Sequence, residues 1–142
     1  MVFYECLMLV KHHTNFKALT NIVKTMSLKV VDNGGIVRSI QNHGIRQFPH
    51  RIQAKHPDFK TGQRYYEKGR YISVYYDANP STQSQVQNML SLNDQVLRQT
   101  HLKARSKLDF ITMQRPEKNP YVQRVWAEER RQANEQVDQL NG

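Results

Sequence analysis

Hydrophobic and polar residues form two kinds of pattern along the first part of the chain, and these patterns predict strands and helices. Val2 to Val10 is almost continuously apolar, which favours a strand covered on both faces. Thr14 or Asn15 can cap a helix with its side-chain oxygen. Asn33-Gly34-Gly35 can end that helix, because asparagine and glycine tolerate positive φ angles. Between the two signals, apolar residues recur at intervals of three and four, as in an amphipathic helix: Phe16, Leu19, Ile22, Val23, Met26 and Val30.

The next stretch, "GGIVRSIQNHGIRQFPHRI" from Gly34 to Ile52, is typical of a long strand, yet it contains Gly44 and Pro49. Strand interiors avoid both residues, but an edge strand tolerates proline, and glycine permits a bulge or bend. Ile40, Phe48 and Ile52 share one sequence parity, whereas Val37 and Ile45 share the other. We therefore expect an edge strand bent at Gly44, with Phe48 and Ile52 closing the sheet over the helices.

A charged loop is expected from Gln53 to about Gly69, followed by the β-branched and aromatic strand Arg70 to Tyr76. Asn79-Pro80 then starts a second helix, whose buried face is Val86, Met89 and Leu90, and Gln95 to Ala104 is the last strand. The order strand, helix, strand, strand, helix, strand predicts an α+β, ferredoxin-like βαββαβ sandwich. This fold has a four-stranded antiparallel sheet with two helices on one face.

Residues 105–142 lie outside this pattern. They predict a linker and then a C-terminal helix that starts at Asn119-Pro120. Most of this segment is polar, so it cannot bury itself alone. We therefore expect a domain over 1–104 and an extension over 105–142 that binds a partner through its one concentrated apolar patch: Tyr121, Val122, Val125 and Trp126.

The charge of the chain changes the picture of its partners. The net charge is +9 and the isoelectric point is near 9.9. Residues 34–78 carry eight basic and three acidic side chains, which is more than half of the excess. Such clustering favours a nucleic acid partner over simple solubility, although a solvated loop is the alternative. The candidate RNA-binding residues are Arg46, Arg51, Lys55, Lys60, Arg64, Lys68 and Arg70, with Arg98 and Lys103 of the last strand as weaker candidates.

The sequence offers little for catalysis or for a cofactor. The six histidines form no H-x₃-H or Cys/His cluster, the acidic residues are scattered, and the single Cys6 is expected to be a buried small hydrophobe. Gly34-Gly35 follows a helix, which is the wrong order for a phosphate-binding loop. We therefore expect no enzyme, no metal and no cofactor. No apolar run approaches the roughly 20 residues of a membrane span, so no membrane partner is expected, and the N-terminus is interpreted as a strand rather than a signal peptide.

The third strand also fits an RNA-recognition motif poorly. The octapeptide from Lys68 to Tyr75 matches that motif only at Lys68, Gly69 and Tyr75, and Arg70 and Ile72 occupy the two positions that need stacking aromatic rings. Tyrosines of this strand are therefore expected to pack within the sheet: Tyr71, Tyr75 and Tyr76.

In these features the chain resembles the family of small-subunit ribosomal protein S6, in a fungal mitochondrial version. The resemblance covers about residues 1–104. It rests on "YE" at Tyr4-Glu5, on Gly34-Gly35, on "GIRQFPHRI" from Gly44 to Ile52, and on "NDQVLRQTHLK" from Asn93 to Lys103. Phe48 and His50 depart from the leucine and tyrosine of the family pattern, and the basic loop is longer.

The resemblance implies a structural protein of the mitochondrial ribosome, in the matrix, that binds small-subunit rRNA on the platform beside ribosomal protein S18 and has no catalytic activity. The C-terminal extension has no counterpart in a minimal family member. From its apolar patch we expect it to bind other small-subunit proteins, and the alternative is that it folds back on its own sheet. Two alternatives differ in class. A free-standing RNA-binding regulator would use the same sheet, and a ferredoxin-like hydrolase of phosphate esters or acyl phosphates would need an anion-binding loop that the sequence lacks.

Overall fold

The structure, a computed structural model, describes residues 1–114 and 120–142, and all of their side chains except those at 112–114 and 120–122. The chain divides into two compact units, Met1–Ala104 and Arg105–Gly142. The elements in chain order are β1 (Val2–Lys11), α1 (Phe16–Asp32), β2 (Ile36–Gln53), β3 (Tyr65–Ala78), α2 (Pro80–Ser91), β4 (Val96–Lys103), α3 (Lys107–Gln114) and α4 (Pro120–Asn141).

The first unit is a four-stranded antiparallel sheet in the order β2-β3-β1-β4. β2 lies at one edge and β1 and β3 are central, so the predicted ferredoxin-like topology is confirmed. One boundary was predicted wrongly, because β3 begins at Tyr65 and not at Arg70. The far end of β2 pairs with this segment, from Arg46 opposite Gly69 to Gln53 opposite Tyr65. The charged residues of the segment 65–69 are typical of a loop, but here they lie on an exposed hairpin of β2 and β3.

The main core lies between the sheet and both helices. Met8, Met26, Val74 and Val86 are fully buried there, one from each of β1, α1, β3 and α2. The predicted cap of α1 is present, since Asn15 Oδ1 accepts from the Ala18 N–H at 2.8 Å. Phe16 was predicted on the buried stripe of α1 but is exposed, because the contacts of this stripe with the core begin one turn later, at Leu19.

A smaller apolar cluster lies on the sheet face opposite the helices. Leu9 and Tyr71 pack against this cluster, and they alternate along their strands with residues that face the helices. The buried members of the cluster include both Phe48 and Ile52. The prediction that these two residues close the sheet over the helices was therefore wrong.

The bulge at Gly44 is the reason. Asn42 pairs with Ile72, whereas Gly44 pairs with the next residue of β3, Tyr71, so one extra residue of β2 has no position opposite it. Gly44 has a φ of +83°, which a glycine adopts without strain. A one-residue insertion moves every later side chain to the other face of the sheet. The bend predicted at Gly44 is confirmed, and it sends Phe48 away from the helices.

The described residues of the second unit form the helices α3 and α4. α3 occupies part of the segment that was predicted to be a linker. Ser106 caps α3, since its Oγ accepts from the Asp109 N–H at 3.0 Å. α4 begins at Pro120 as predicted, whereas Asn119 lies outside the described residues. Among the described residues, no helix is long and apolar enough to cross a membrane.

Candidate nucleic-acid interface

Another irregularity of β2, further along the strand than Gly44, shapes the most basic part of the first unit. Gln47 pairs with Lys68 and Ile52 pairs with Tyr66, so the four residues 48–51 of β2 lie opposite Glu67 alone. Pro49 lies in this wide bulge, where its missing N–H costs no ladder hydrogen bond. The bulge begins at Phe48, whose ring packs directly on Gly69: a Cβ atom at Gly69 would lie 2.5 Å from Phe48 Cζ.

A cavity of about 570 Å³ lies beside this bulge. β2 contributes Arg46, Gln47 and Arg51 to its lining, and the start of β3 contributes Tyr65 and Lys68. His12, which follows β1, also lines it. Burial lowers the pKa of His12, and the charges of His13 and Lys68 lower it further, so the imidazole is neutral at neutral pH. The lining therefore carries three cations, Arg46, Arg51 and Lys68, against the single carboxylate of Glu67.

Arg51 and Tyr65 form a stacked pair in this cavity. The Arg51 guanidinium carbon lies 4.4 Å from the centroid of the Tyr65 ring, which is within the range of a cation–π contact. Arg51 is exposed, and 45% of Tyr65 is exposed. Arg46 is half-buried, and its Nε donates to the His43 carbonyl at 3.3 Å. The pair therefore presents two flat groups to solvent beside a cation that is already oriented.

The loop from residue 54 to 64 closes on its own backbone. The Ala54 N–H donates to the Arg64 carbonyl at 2.7 Å, and the Gly62 N–H donates to the Asp58 carbonyl at 2.7 Å. His13 Nε2 lies 3.0 Å from Asp58 Oδ2, and this contact joins the loop to the end of β1. The backbone N–H of Lys60, the Thr61 hydroxyl and nearby cations lower the pKa of Asp58, so it is ionised at neutral pH. Three candidate cations project from this closed loop and are exposed: Lys55, Lys60 and Arg64.

The remaining candidate cations do not line the cavity. Arg70 lies on β3, where its Nη1 donates to Asn42 Oδ1 at 3.4 Å. Arg98 and Lys103 are exposed on β4, at the opposite edge of the sheet from β2. The structure thus brings together Arg46, Arg51 and Lys68 and places three more cations on the adjoining loop. Arg70, Arg98 and Lys103 belong to neither group.

Sequence reasoning missed Tyr65, which was assigned to a loop. An aromatic residue beside Arg64 was the available signal.

Arg38 is a basic residue of β2 whose role is structural, so it is not a candidate for RNA binding. Its Nε donates to Asp77 Oδ2 at 2.7 Å, and its guanidinium lies 5.8 Å from the centroid of the Phe3 ring.

The predicted role of Cys6 as a buried hydrophobe is confirmed. Its side chain is fully buried, with Sγ 3.7 Å from His101 Nε2. Burial, with a smaller effect of the Glu5 charge, raises the pKa of the thiol to about 12, so it stays protonated and is a poor nucleophile. Among the described residues, no group of three or more His, Cys, Asp or Glu side chains could hold a metal ion.

The predicted partner-binding patch of the extension lies at the start of α4. Val125 is exposed and Trp126 is half-buried. Tyr121 and Val122 belong to α4, but their side chains lie outside the described residues. Further along α4, Val137 and Leu140 are also exposed.

The chain matches one family in its sequence. The model of the family described as "Ribosomal protein S6" matches residues 3–103. The chain is 26% identical over 98 residues to the small ribosomal subunit protein bS6 of Acidiphilium cryptum, a match that covers 69% of this chain and 55% of that protein. The bS6 protein of Gluconobacter oxydans is also 26% identical over 98 residues, and 54% of it is covered. The chain thus spans about half the length of these two relatives.

A fungal relative and a solved structure are also similar. The small ribosomal subunit protein bS6m of Neurospora crassa is 26% identical over 89 residues, which cover 63% of this chain and 70% of that protein. The crystal structure of 30S ribosomal protein S6 from Thermotoga maritima aligns with a TM-score of 0.60 at 13% identity, covering 83% of this chain and 98% of that one. At this identity the structural match supports the fold alone.

Proposed function

This chain belongs to the ribosomal protein S6 family, and we propose that it is a structural component of the small subunit of a ribosome. The match of the family over residues 3–103, which is nearly the whole of the first unit, is the observation that carries the proposal. In this role the protein binds small-subunit rRNA on the platform beside ribosomal protein S18. It positions RNA and neighbouring proteins and catalyses no reaction.

The ribosome in question is mitochondrial. The similarity to a fungal bS6m protein supports this location, as does the long basic hairpin. A tagged protein should therefore be found in the mitochondrial matrix and should sediment with mitochondrial small subunits through a sucrose gradient. In low magnesium, which separates the subunits, it should stay with the small one. A tagged protein that sediments free of ribosomal subunits would instead favour the RNA-binding regulator.

The rRNA surface is the end of the β2–β3 hairpin, with the cavity cations Arg46, Arg51 and Lys68 and the loop cations Lys55, Lys60 and Arg64. Lysine and arginine neutralise phosphates and release counterions, which makes binding depend steeply on salt. Arg70, Arg98 and Lys103 add charge at other positions and are weaker candidates.

The test exchanges three hairpin cations for glutamine, Arg51, Lys55 and Arg64. The matched control exchanges three exposed cations of α1, Lys17, Lys24 and Lys29, which changes the net charge equally. The hairpin variant should reduce the slope of log affinity against log salt by roughly 2 to 3, the value for three lost phosphate contacts. Equal slopes for the two variants would refute the assignment of the RNA surface to the hairpin.

The C-terminal extension anchors the protein to other small-subunit proteins through Tyr121, Val122, Val125 and Trp126. Apolar side chains exposed on a mostly polar helix support this role. Truncation after Ala104 should leave the melting temperature of the first unit unchanged and should reduce incorporation into small subunits.

A paired substitution refines this test. Trp126→Ser with Val125→Ser should reduce incorporation in the same way. The control, Arg131→Ser with Glu135→Ser, removes an exposed ion pair of 3.6 Å on α4 and should have little effect. If truncation instead destabilises the first unit and the folded remainder assembles normally, the extension is part of the core and not an anchor.

A further inference from the structure

The cavity beside the wide bulge of β2 has the size and composition of a binding site for a small polar ligand. Its volume of about 570 Å³ falls within the range of roughly 300–1,000 Å³ that is usual for such sites. It lies where residues 48–51 of β2 leave the ladder. The irregular pairing of β2 with β3 brings the lining residues of both strands together at this end of the hairpin.

One part of the cavity is a flat platform. Arg51 and Tyr65 stack with 4.4 Å between the guanidinium carbon and the ring centroid, and both are exposed. A planar guanidinium and an aromatic ring are the two groups on which proteins stack unpaired nucleobases. An inorganic ion would make no use of a flat platform of this kind.

The other part of the cavity supplies positive charge and amide groups. Arg46 and Lys68 line it from neighbouring strands and can contact phosphates. Gln47 and Gln63 each bring an amide donor and an amide acceptor, the pair of functions that a base edge requires. Gln63 is held in place, since its Nε2 donates to the Tyr65 carbonyl at 3.0 Å.

We infer that this cavity binds one unstacked nucleotide of single-stranded RNA, with its base stacked on Arg51 and Tyr65 and its adjoining phosphates on Arg46 and Lys68. The inference rests on the proposed function, because it identifies a specific contact within the general rRNA surface. It differs from that function in one respect, since a phosphate-binding surface alone would be indifferent to whether the bases are present.

The experiment compares two short RNA probes of equal length and charge. One is a uridine oligomer, and the other is the same ribose-phosphate chain without bases. The full chain should bind the uridine oligomer more tightly, by roughly 5- to 100-fold, which is the usual effect of stacking one base. Both probes should show a steep salt dependence.

Two variants locate the effect in the cavity. Tyr65→Leu removes the ring, and Arg51→Lys keeps the charge but removes the plane of the guanidinium. Each should bring the affinity for the uridine oligomer close to that for the baseless chain and should leave the salt slope nearly unchanged. The matched controls are Phe59→Leu, an aromatic residue of the loop that is 93% exposed, and Arg64→Lys, and both should retain the preference for bases.

Each outcome decides one claim. If the wild-type chain binds both probes equally, the nucleotide site is wrong and a phosphate-binding surface remains. If Phe59→Leu abolishes the preference as fully as Tyr65→Leu, the platform is assigned to the wrong residues. If the chain binds neither probe and also fails to bind RNA molecules longer than these probes, the proposed function itself fails. Thermal melting of each variant establishes that a lost preference does not come from unfolding.

Discussion

Replacing Gly44 by a residue with a side chain tests the bend on which the architecture of β2 depends. Gly44 has a φ of +83°, and a Cβ atom built on it meets no other atom within 4 Å. The substitution therefore adds no steric overlap with the rest of the protein. Its whole effect comes from holding an L-residue in a left-handed backbone conformation, so the expected cost is a backbone cost alone.

The expected magnitude follows from this separation. Gly44→Ala should lower the free energy of unfolding by about 1–2 kcal/mol. Gly44→Val should cost more, up to about 3 kcal/mol, because a β-branched side chain resists this conformation further. For a domain of this size, each lost kcal/mol lowers the melting temperature by roughly 4–8 °C. Gly44→Asn should lose less than Gly44→Ala, because asparagine tolerates left-handed backbone better than other residues.

The assay is denaturant unfolding of the full chain, followed by circular dichroism. Gln47→Val is the matched control, because it places the same side chain at an exposed position of β2 where extended backbone suits valine. The order of stability should be wild type and Gln47→Val, then Gly44→Asn, then Gly44→Ala, then Gly44→Val. If all three Gly44 variants unfold at the wild-type midpoint, β2 does not hold a left-handed residue at Gly44, and the bulge that sends Phe48 to the far face is wrong.

Two further results are expected. Gly69→Ala should destabilise the first unit by about 1–3 kcal/mol, because its Cβ would lie 2.5 Å from Phe48 Cζ and 2.8 Å from the Val10 carbonyl oxygen. Adding Phe48→Leu should restore only part of the lost denaturant midpoint. If Gly69→Ala alone leaves the midpoint unchanged, this packing is contradicted. Burial lowers the pKa of His101 from 6.5, so the unfolded chain takes up protons first on acidification, and stability should be complete above about pH 6.5 and fall below it. In thermal melts of His101→Gln between about pH 7.5 and 5, the melting temperature should fall less steeply than in the wild type. A smaller fall should remain, because the pKa of His12 is lowered too. A fall as steep as in the wild type would exclude His101 as a source.

Local patterns in the sequence determined the type and order of the elements of the first unit. An apolar period near 3.6 differs from alternation or a continuous apolar run, and Asn15 and the Asn79-Pro80 pair mark helix starts without help from distant residues. The edge position of β2 and the bend at Gly44 were also predictable. Proline lacks a backbone N–H for the ladder and glycine can adopt a positive φ, and both properties belong to the residue itself, whatever its neighbours are.

The candidate RNA-binding cations could be named from the sequence only as a set. Charge counts locate the excess in residues 34–78, but they do not say which side chains meet. The structure joins Arg46, Arg51 and Lys68 in one cavity and separates them from Arg70 and from the cations of β4. Composition is a sum over a segment, whereas proximity depends on how its strands pair.

The faces of β2 were decided only by the tertiary structure. Sequence parity places Ile40 and Phe48 together, but the extra residue before Gly44 reverses the parity between them. The pairing of residues 48–51 with a single residue of β3 likewise has no local signal. The cavity lies beside this segment, where Arg51 stacks with Tyr65. Such registers are set by contacts between residues far apart in the chain, here Phe48 on Gly69. The sequence contains both residues, but it does not show that they are in contact.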